Sequence, residues 1–152
     1  MRKTGLAFIL AAGLVAASTT FTAAQQFGTA DEAKAMLTRA VAEMKTDPKA
    51  AIAKFSDKDN KAFRDRDLYV FCWRVSDGMF TTHPNPAVNG TDMRNLKVKD
   101  DTLGQRLYDT AKEGTVTSVN YNFPKPGTTE PVPKETFVTL IGENGCGVGY
   151  YK

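Results

Sequence analysis

The chain of 152 residues has one histidine, one tryptophan and two cysteines. A lone His83 excludes a metal centre built from several imidazoles. No glycine-rich phosphate loop stands between a strand and a helix: Gly145-Cys146-Gly147-Val148-Gly149 is followed only by Tyr150-Tyr151-Lys152. Its small residues read instead as a device for close packing of the last strand. No stretch beyond residue 24 is long and apolar enough to span a bilayer. Internal repeats are absent, and so is any linker long enough to separate two domains. A nucleophile beside a base, or two carboxylates in contrasting environments, would signal catalysis. Neither is evident. Asp77 belongs to a turn, and Asp65, Asp67, Asp100 and Asp101 sit in charged segments that read as solvated.

What is present begins with the N-terminus. Met1-Arg2-Lys3 is a short basic region, and residues 5–17 form an apolar run of Gly, Leu, Ala, Phe, Ile and Val. Small and polar residues follow, ending in Thr22-Ala23-Ala24. That is the layout of a secretory signal peptide over residues 1–24, cut after Ala24. An uncleaved anchor is the alternative, weakened by Ser18, Thr19, Thr20 and Thr22 in the second half. Removal leaves residues 25–152, the size of one domain with a real core. It also takes the basic count from 20 to 18 against 17 acidic residues, a net charge of +1. The isoelectric point of 8.8 therefore describes the precursor. A nearly neutral surface gives no electrostatic case for nucleic acid or an anionic membrane.

Both cysteines, Cys72 and Cys146, lie beyond this leader. In an oxidising compartment an even pair favours a disulfide, whose long loop the chain-entropy model values at about 4 kcal/mol. Two buried thiols are the alternative. Neither cysteine is near His83 or in a Cys-x-x-Cys pair, so no redox or metal role is expected.

Thr29-Ala30-Asp31-Glu32 is a capping-box pattern. Ala33, Met36, Leu37, Ala40, Val41 and Met44 then form the stripe of an amphipathic helix. Asp47-Pro48 opens a second, short helix through Phe55, and residues 56–67 read as a surface connection. Residues 68–75 and 79–82 flank the turn Ser76-Asp77-Gly78, which predicts a β-hairpin. An irregular crossing runs to about residue 99, and Leu103, Leu107 and Ala111 predict a helix ended by Gly114. Residues 115–123 alternate as a strand. Residues 124–133, with four prolines, predict a loop, and a closing hairpin turns at Gly142-Glu143-Asn144-Gly145. The expected fold is α+β: a five-stranded antiparallel sheet with helices on one face. The crossing would cover the other face and enclose a pocket.

His83, Arg74, Lys134, Tyr69 and Tyr121 are the polar or amphipathic residues on or beside the predicted strands. Aromatics with a few placed cations suit a small organic anion, because each cation gives charge-assisted hydrogen bonds to a carboxylate. Each has a plainer reading: His83 capping a turn, Tyr121 in the core with its hydroxyl at the rim.

In order along the chain, several segments resemble one family. Residues 68–84, LYVFCWRVSDGMFTTHP, resemble the strand, Asp-Gly turn, strand and His-Pro signature of single Cache domains of type 2. Asn89-Gly90-Thr91-Asp92-Met93 resembles the family's Val-Gly-Lys-Asp-Leu stretch, and Tyr121-Asn122-Phe123-Pro124-Lys125-Pro126 its Tyr-x-Trp-Pro-x-Pro segment. Residues 134–138 and 147–151 match its last two strands. The resemblance implies a PAS-like fold with a long N-terminal helix and a pocket between sheet and crossing. It also implies an extracytoplasmic sensor for short carboxylates such as acetate, propionate or pyruvate, with His83, Tyr121 and Lys134 as ligand contacts. Phe123 replaces the usual tryptophan and Phe137 the usual tyrosine.

Receptors of the family need a membrane helix after the sensor domain, and this sequence stops at Lys152. The expectation is a free periplasmic binding protein, without cofactor or metal, that presents its ligand to a separate chemoreceptor or sensor kinase. The resemblance further suggests pairing of the first helix with that of a second copy. Two other readings stand beside this one. The first is a ligand-free interaction module with its pocket filled by Trp73 and Phe123. The second is a small α+β enzyme, which would need a buried carboxylate near His83.

Overall fold

The computed structural model describes residues 26–152; the leader over residues 1–24 and its cleavage after Ala24 lie outside the described residues. The chain enters helix α1 (Ala30–Thr46) through both halves of the capping box. The Thr29 side chain accepts the Glu32 N–H at 3.2 Å, and Glu32 Oε2 accepts the Thr29 N–H at 2.8 Å. Ala33, Met36, Leu37, Ala40 and Met44 are buried along one stripe. Asp47 ends this helix and caps the next, α2 (Pro48–Ser56), accepting the Ala50 N–H at 3.0 Å.

Six strands follow among the described residues: β1 (Arg64–Asp65), β2 (Leu68–Arg74), β3 (Phe80–Thr82), β4 (Thr117–Pro124), β5 (Pro131–Ile141) and β6 (Asn144–Tyr151). They pair antiparallel in the order β1-β2-β6-β5-β4, with β3 added to β2. The short β1 was not expected. It turns straight back into β2 through Arg66-Asp67, with Arg66 at φ 55. The segment expected as a surface connection therefore carries structure, including the buried Phe63.

The period-two alternation of the strands divides the interior into two cores. Leu68, Val70, Cys72, Phe137, Ile141, Cys146 and Val148 face α1 and α2. Phe71, Trp73, Val119 and Val138 face the other way, toward the crossing and helix α3 (Leu103–Thr110). Cys72 and Cys146 are directly opposed on β2 and β6 and are bonded, S–S 2.09 Å. This covalent link lies in the α1 layer.

Two boundaries differ from the sequence expectation. Helix α3 ends at Thr110, capped by Ala111, whose N–H donates to Leu107 O, and Gly114 (φ 66) lies in the following turn instead. Strand β5 starts at Pro131, inside the expected loop. Its prolines lie at the start of its pairing with β4, Pro131 opposite Pro124 and Pro133 opposite Asn122. Pro133 O accepts the Lys152 N–H at 2.9 Å.

The crossing is sewn to β3 rather than draped over it. Phe80 N–H donates to Thr91 O, Gly90 N–H to Phe80 O and Met93 N–H to Gly78 O, each at 2.9 Å. Arg94 fixes the far end, pairing with Asp92 (2.6 Å) and donating to the Asp77 carbonyl (2.7 Å). Its guanidinium lies 5.5 Å from the Tyr108 ring centroid. The β2–β3 turn, the crossing and α3 thus form one continuous roof.

Candidate functional site

Under this roof lies a cavity of ≈ 330 Å³, at the small end for ligand sites. The sheet supplies its floor through Tyr69, Phe71, Tyr121, Phe123 and Lys134; His83 and Asn85 flank it. Val88, Leu96, Leu103 and Leu107 close it from above. The floor exists because β6 carries glycine at every position facing it before Tyr151. A Cβ would lie 2.2 Å from the Trp73 ring at Gly145, 2.7 Å from Phe71 Cζ at Gly147 and 2.9 Å from Lys134 Cε at Gly149. Bare backbone on the central strand lets side chains from β2 and β5 lie across it.

Lys134 is only 3% exposed, yet no carboxylate pairs with it among the described residues. Its Nζ instead meets ring faces: Tyr151 at 4.5 Å, and Tyr69 and Phe123 each at 5.4 Å from the centroid. Burial lowers its pKa to about 8, and the charge of Asp67 opposes that fall. A buried cation without a counter-ion is costly, and an anion entering the cavity relieves the cost.

His83 Nδ1 accepts the Asn85 N–H at 3.0 Å, which leaves Nε2–H as the donor of the neutral ring. Burial lowers its pKa, and the positive charge of Lys134 acts in the same direction. Its ring packs edge-on to Phe80 (5.4 Å) and Tyr69 (5.6 Å). Burial pushes the Tyr69 phenol up to about 12, with help from the charge of Asp67. Tyr121 shares a 2.8 Å hydrogen bond with Thr136, and burial raises its pKa strongly. One cation and several neutral donors therefore meet an aliphatic roof.

Of the five residues singled out from sequence, the fold gathers Tyr69, His83, Tyr121 and Lys134 around this cavity and leaves Arg74 out. Arg74 follows Trp73 on β2, so the pleat sends it to the opposite face. There it is half-exposed and paired with Asp77 at 2.7 Å. The same parity places Phe137 on the α1 side, stacked on Tyr150 at 5.7 Å, so the absence of a tyrosine there removes no hydroxyl from the cavity. Phe123 lines the cavity, whereas Trp73 is fully buried beside it, stacked on Phe71.

Sequence reasoning missed Tyr151 and Asp67. Tyr151 lies beneath Lys134 and donates to Pro124 O at 2.7 Å. Asp67, expected in solvent, is 7% exposed. Its Oδ1 accepts the Gly28 N–H at 2.6 Å, while its buried Oδ2 has no partner. Its charge is felt at Lys134, Tyr69 and Tyr151. No carboxylate bonds to His83 among the described residues, and no group of three metal-binding side chains occurs among them.

Comparison with known proteins agrees with this architecture. No curated protein matches. Three similar solved structures are chemosensory domains. One is a methyl-accepting chemotaxis protein from Vibrio parahaemolyticus, 23% identical with TM-score 0.62, matched over 80% of this chain and 86% of that one. Another is the periplasmic sensor domain of a chemotaxis protein, 26% identical with TM-score 0.57, over 80% and 88%. The third is a Cache chemosensory domain described for carboxylic acid recognition, 21% identical with TM-score 0.50, over 76% and 83%. No helix among the described residues is long and apolar enough to cross a membrane. The family model for single Cache domain 2 matches residues 19–150, and the chain belongs to that family of extracytoplasmic small-molecule sensor domains.

Proposed function

We propose that the protein is a periplasmic binding domain for a short organic anion, a carboxylate in the first instance, and that it binds its ligand without transforming it. One observation carries this reading: Lys134 is buried in the wall of a largely aromatic and aliphatic cavity, with no carboxylate paired to it among the described residues. A carboxylate would take Lys134 as its charge partner and the His83 Nε2–H or the Tyr69 hydroxyl as a second donor, with a short apolar tail against Leu103 and Leu107. Carboxylic acid recognition by a domain of similar fold supports the choice of ligand class.

The test is a thermal-shift screen against acetate, propionate, pyruvate, amino acids and divalent cations. A ligand at about 100 times its dissociation constant adds roughly 2.7 kcal/mol, a clear rise in melting temperature. The reading predicts that rise with a carboxylate and none with the cations. No rise with any compound would favour a ligand-free interaction module of the same fold. Presentation of the loaded domain to a separate chemoreceptor or sensor kinase predicts ligand-dependent co-purification with that receptor's periplasmic domain. Pairing through α1 predicts a dimer in sedimentation.

A further inference from the structure

We infer that Asp67 is a positioning residue for the cavity: it holds the positive charge of Lys134 in place without touching a ligand. The inference deepens the anion-binding reading and rests on it only for its consequence. Asp67 occupies the two-residue turn between β1 and β2, a place where a carboxylate ordinarily faces water. Here it is turned inward. Oδ1 is held by the Gly28 N–H at 2.6 Å, and Oδ2 is buried with no hydrogen-bond partner. A buried carboxylate oxygen without a donor is costly unless a nearby cation compensates.

Asp67 stands two residues before Tyr69, over whose ring the Lys134 Nζ lies at 5.4 Å. The two charges are too far apart to form an ion pair, and the charge of Asp67 favours the protonated Lys134. That separation leaves the ammonium available to a ligand, while the distant charge of Asp67 offsets only part of its burial cost. Among the described residues, Tyr69 on β2, Tyr121 on β4, Tyr151 on β6 and His83 after β3 stand around Lys134, and Arg64 on β1, opposite Tyr69, adds a positive charge felt at Tyr69 and His83. The tyrosines and His83 are neutral at pH 7 or nearly so, and Asp67 is the negative charge felt at Lys134 among the described residues. Glycine at 28 is required for this arrangement, because a Cβ there would lie 2.3 Å from Leu68 Cγ.

The deciding experiment follows the Lys134 side-chain resonance by NMR as pH rises, without ligand, in wild type and Asp67→Asn. The amide oxygen of asparagine still accepts the Gly28 N–H, so only the charge is removed. The Lys134 midpoint should fall on the order of one pH unit in the variant, the size expected for one charge at intermediate range in a partly screened interior. An unchanged midpoint overturns the inference, whatever the cavity binds. If Asp67→Asn does not fold, Asp67→Ser carries the same test: its hydroxyl can accept the Gly28 N–H, and the Lys134 midpoint should again fall. No change there overturns it equally. A shifted Lys134 midpoint with no acetate, propionate or pyruvate binding to wild type would sink the anion-binding reading and leave the role of Asp67 standing.

Discussion

Gly149 and Lys134 compete for the same space across neighbouring strands: a Cβ at 149 would lie 2.9 Å from Lys134 Cε and 2.5 Å from Thr136 Oγ1. The register that pairs β5 with β6 places them side by side, with Thr136 opposite Gly149. Gly149→Ala should therefore displace the lysine, whose long stem yields more easily than backbone. The expected result is a tenfold or greater loss of anion affinity, roughly 1.4 kcal/mol, with a modest drop in melting temperature. Gly145→Ala provides the contrast. It meets the fully buried Trp73 ring at 2.2 Å, so the damage falls on stability, by about 1–3 kcal/mol, rather than directly on Lys134. Calorimetry and thermal melts on both variants separate the two effects.

The pH dependence of stability has a definite sign. In the unfolded chain Lys134 keeps its proton up to its ordinary value of 10.5, but in the fold it starts to lose it near pH 8. Between those values the unfolded state holds more protons, so the empty protein gains stability from this group as pH rises. Above about pH 10 the raised phenols of Tyr69 and Tyr151 act the other way, since the unfolded chain ionises first. Melting curves from pH 7 to pH 9.5 should show wild type gaining on Lys134→Met. A constant difference would contradict the buried-lysine account.

The disulfide belongs to the scaffold. Cys72 and Cys146 are fully buried on the α1 side of the sheet, away from the cavity floor. Replacing both by alanine should destabilise the fold by about 2–5 kcal/mol while leaving ligand affinity nearly unchanged in whatever fraction remains folded. Affinity measured well below the melting temperature checks this.

Much of the scaffold is written in local chemistry. Thr29 and Glu32 announce the start of α1, and Asp47-Pro48 announces α2, because caps act over three residues. The β2–β3 turn and the closing hairpin are equally local. What sequence reading loses is parity and burial. One step along a strand moves Arg74 out of the cavity while Trp73 stays on its side, and no composition signal marks that step. Strand β1 has two charged residues and no period to detect. Asp67 looks solvated because Arg64, Asp65 and Arg66 surround it in sequence. Its burial depends on Gly28, 39 residues away. Pro131 and Pro133 read as a loop because their pairing with Pro124 and Asn122 of β4 is a tertiary fact.

The most direct measurement of the central claim is isothermal titration of pyruvate, acetate and propionate into wild type and Lys134→Met at pH 7. Methionine keeps the apolar stem and its contacts with the rings while removing the charge. The account predicts saturable binding of at least one of these anions to wild type and a loss of 10-fold or more, at least about 1.4 kcal/mol, in the variant. Equal affinity in the two proteins would show that the anion does not meet Lys134 and would contradict the account.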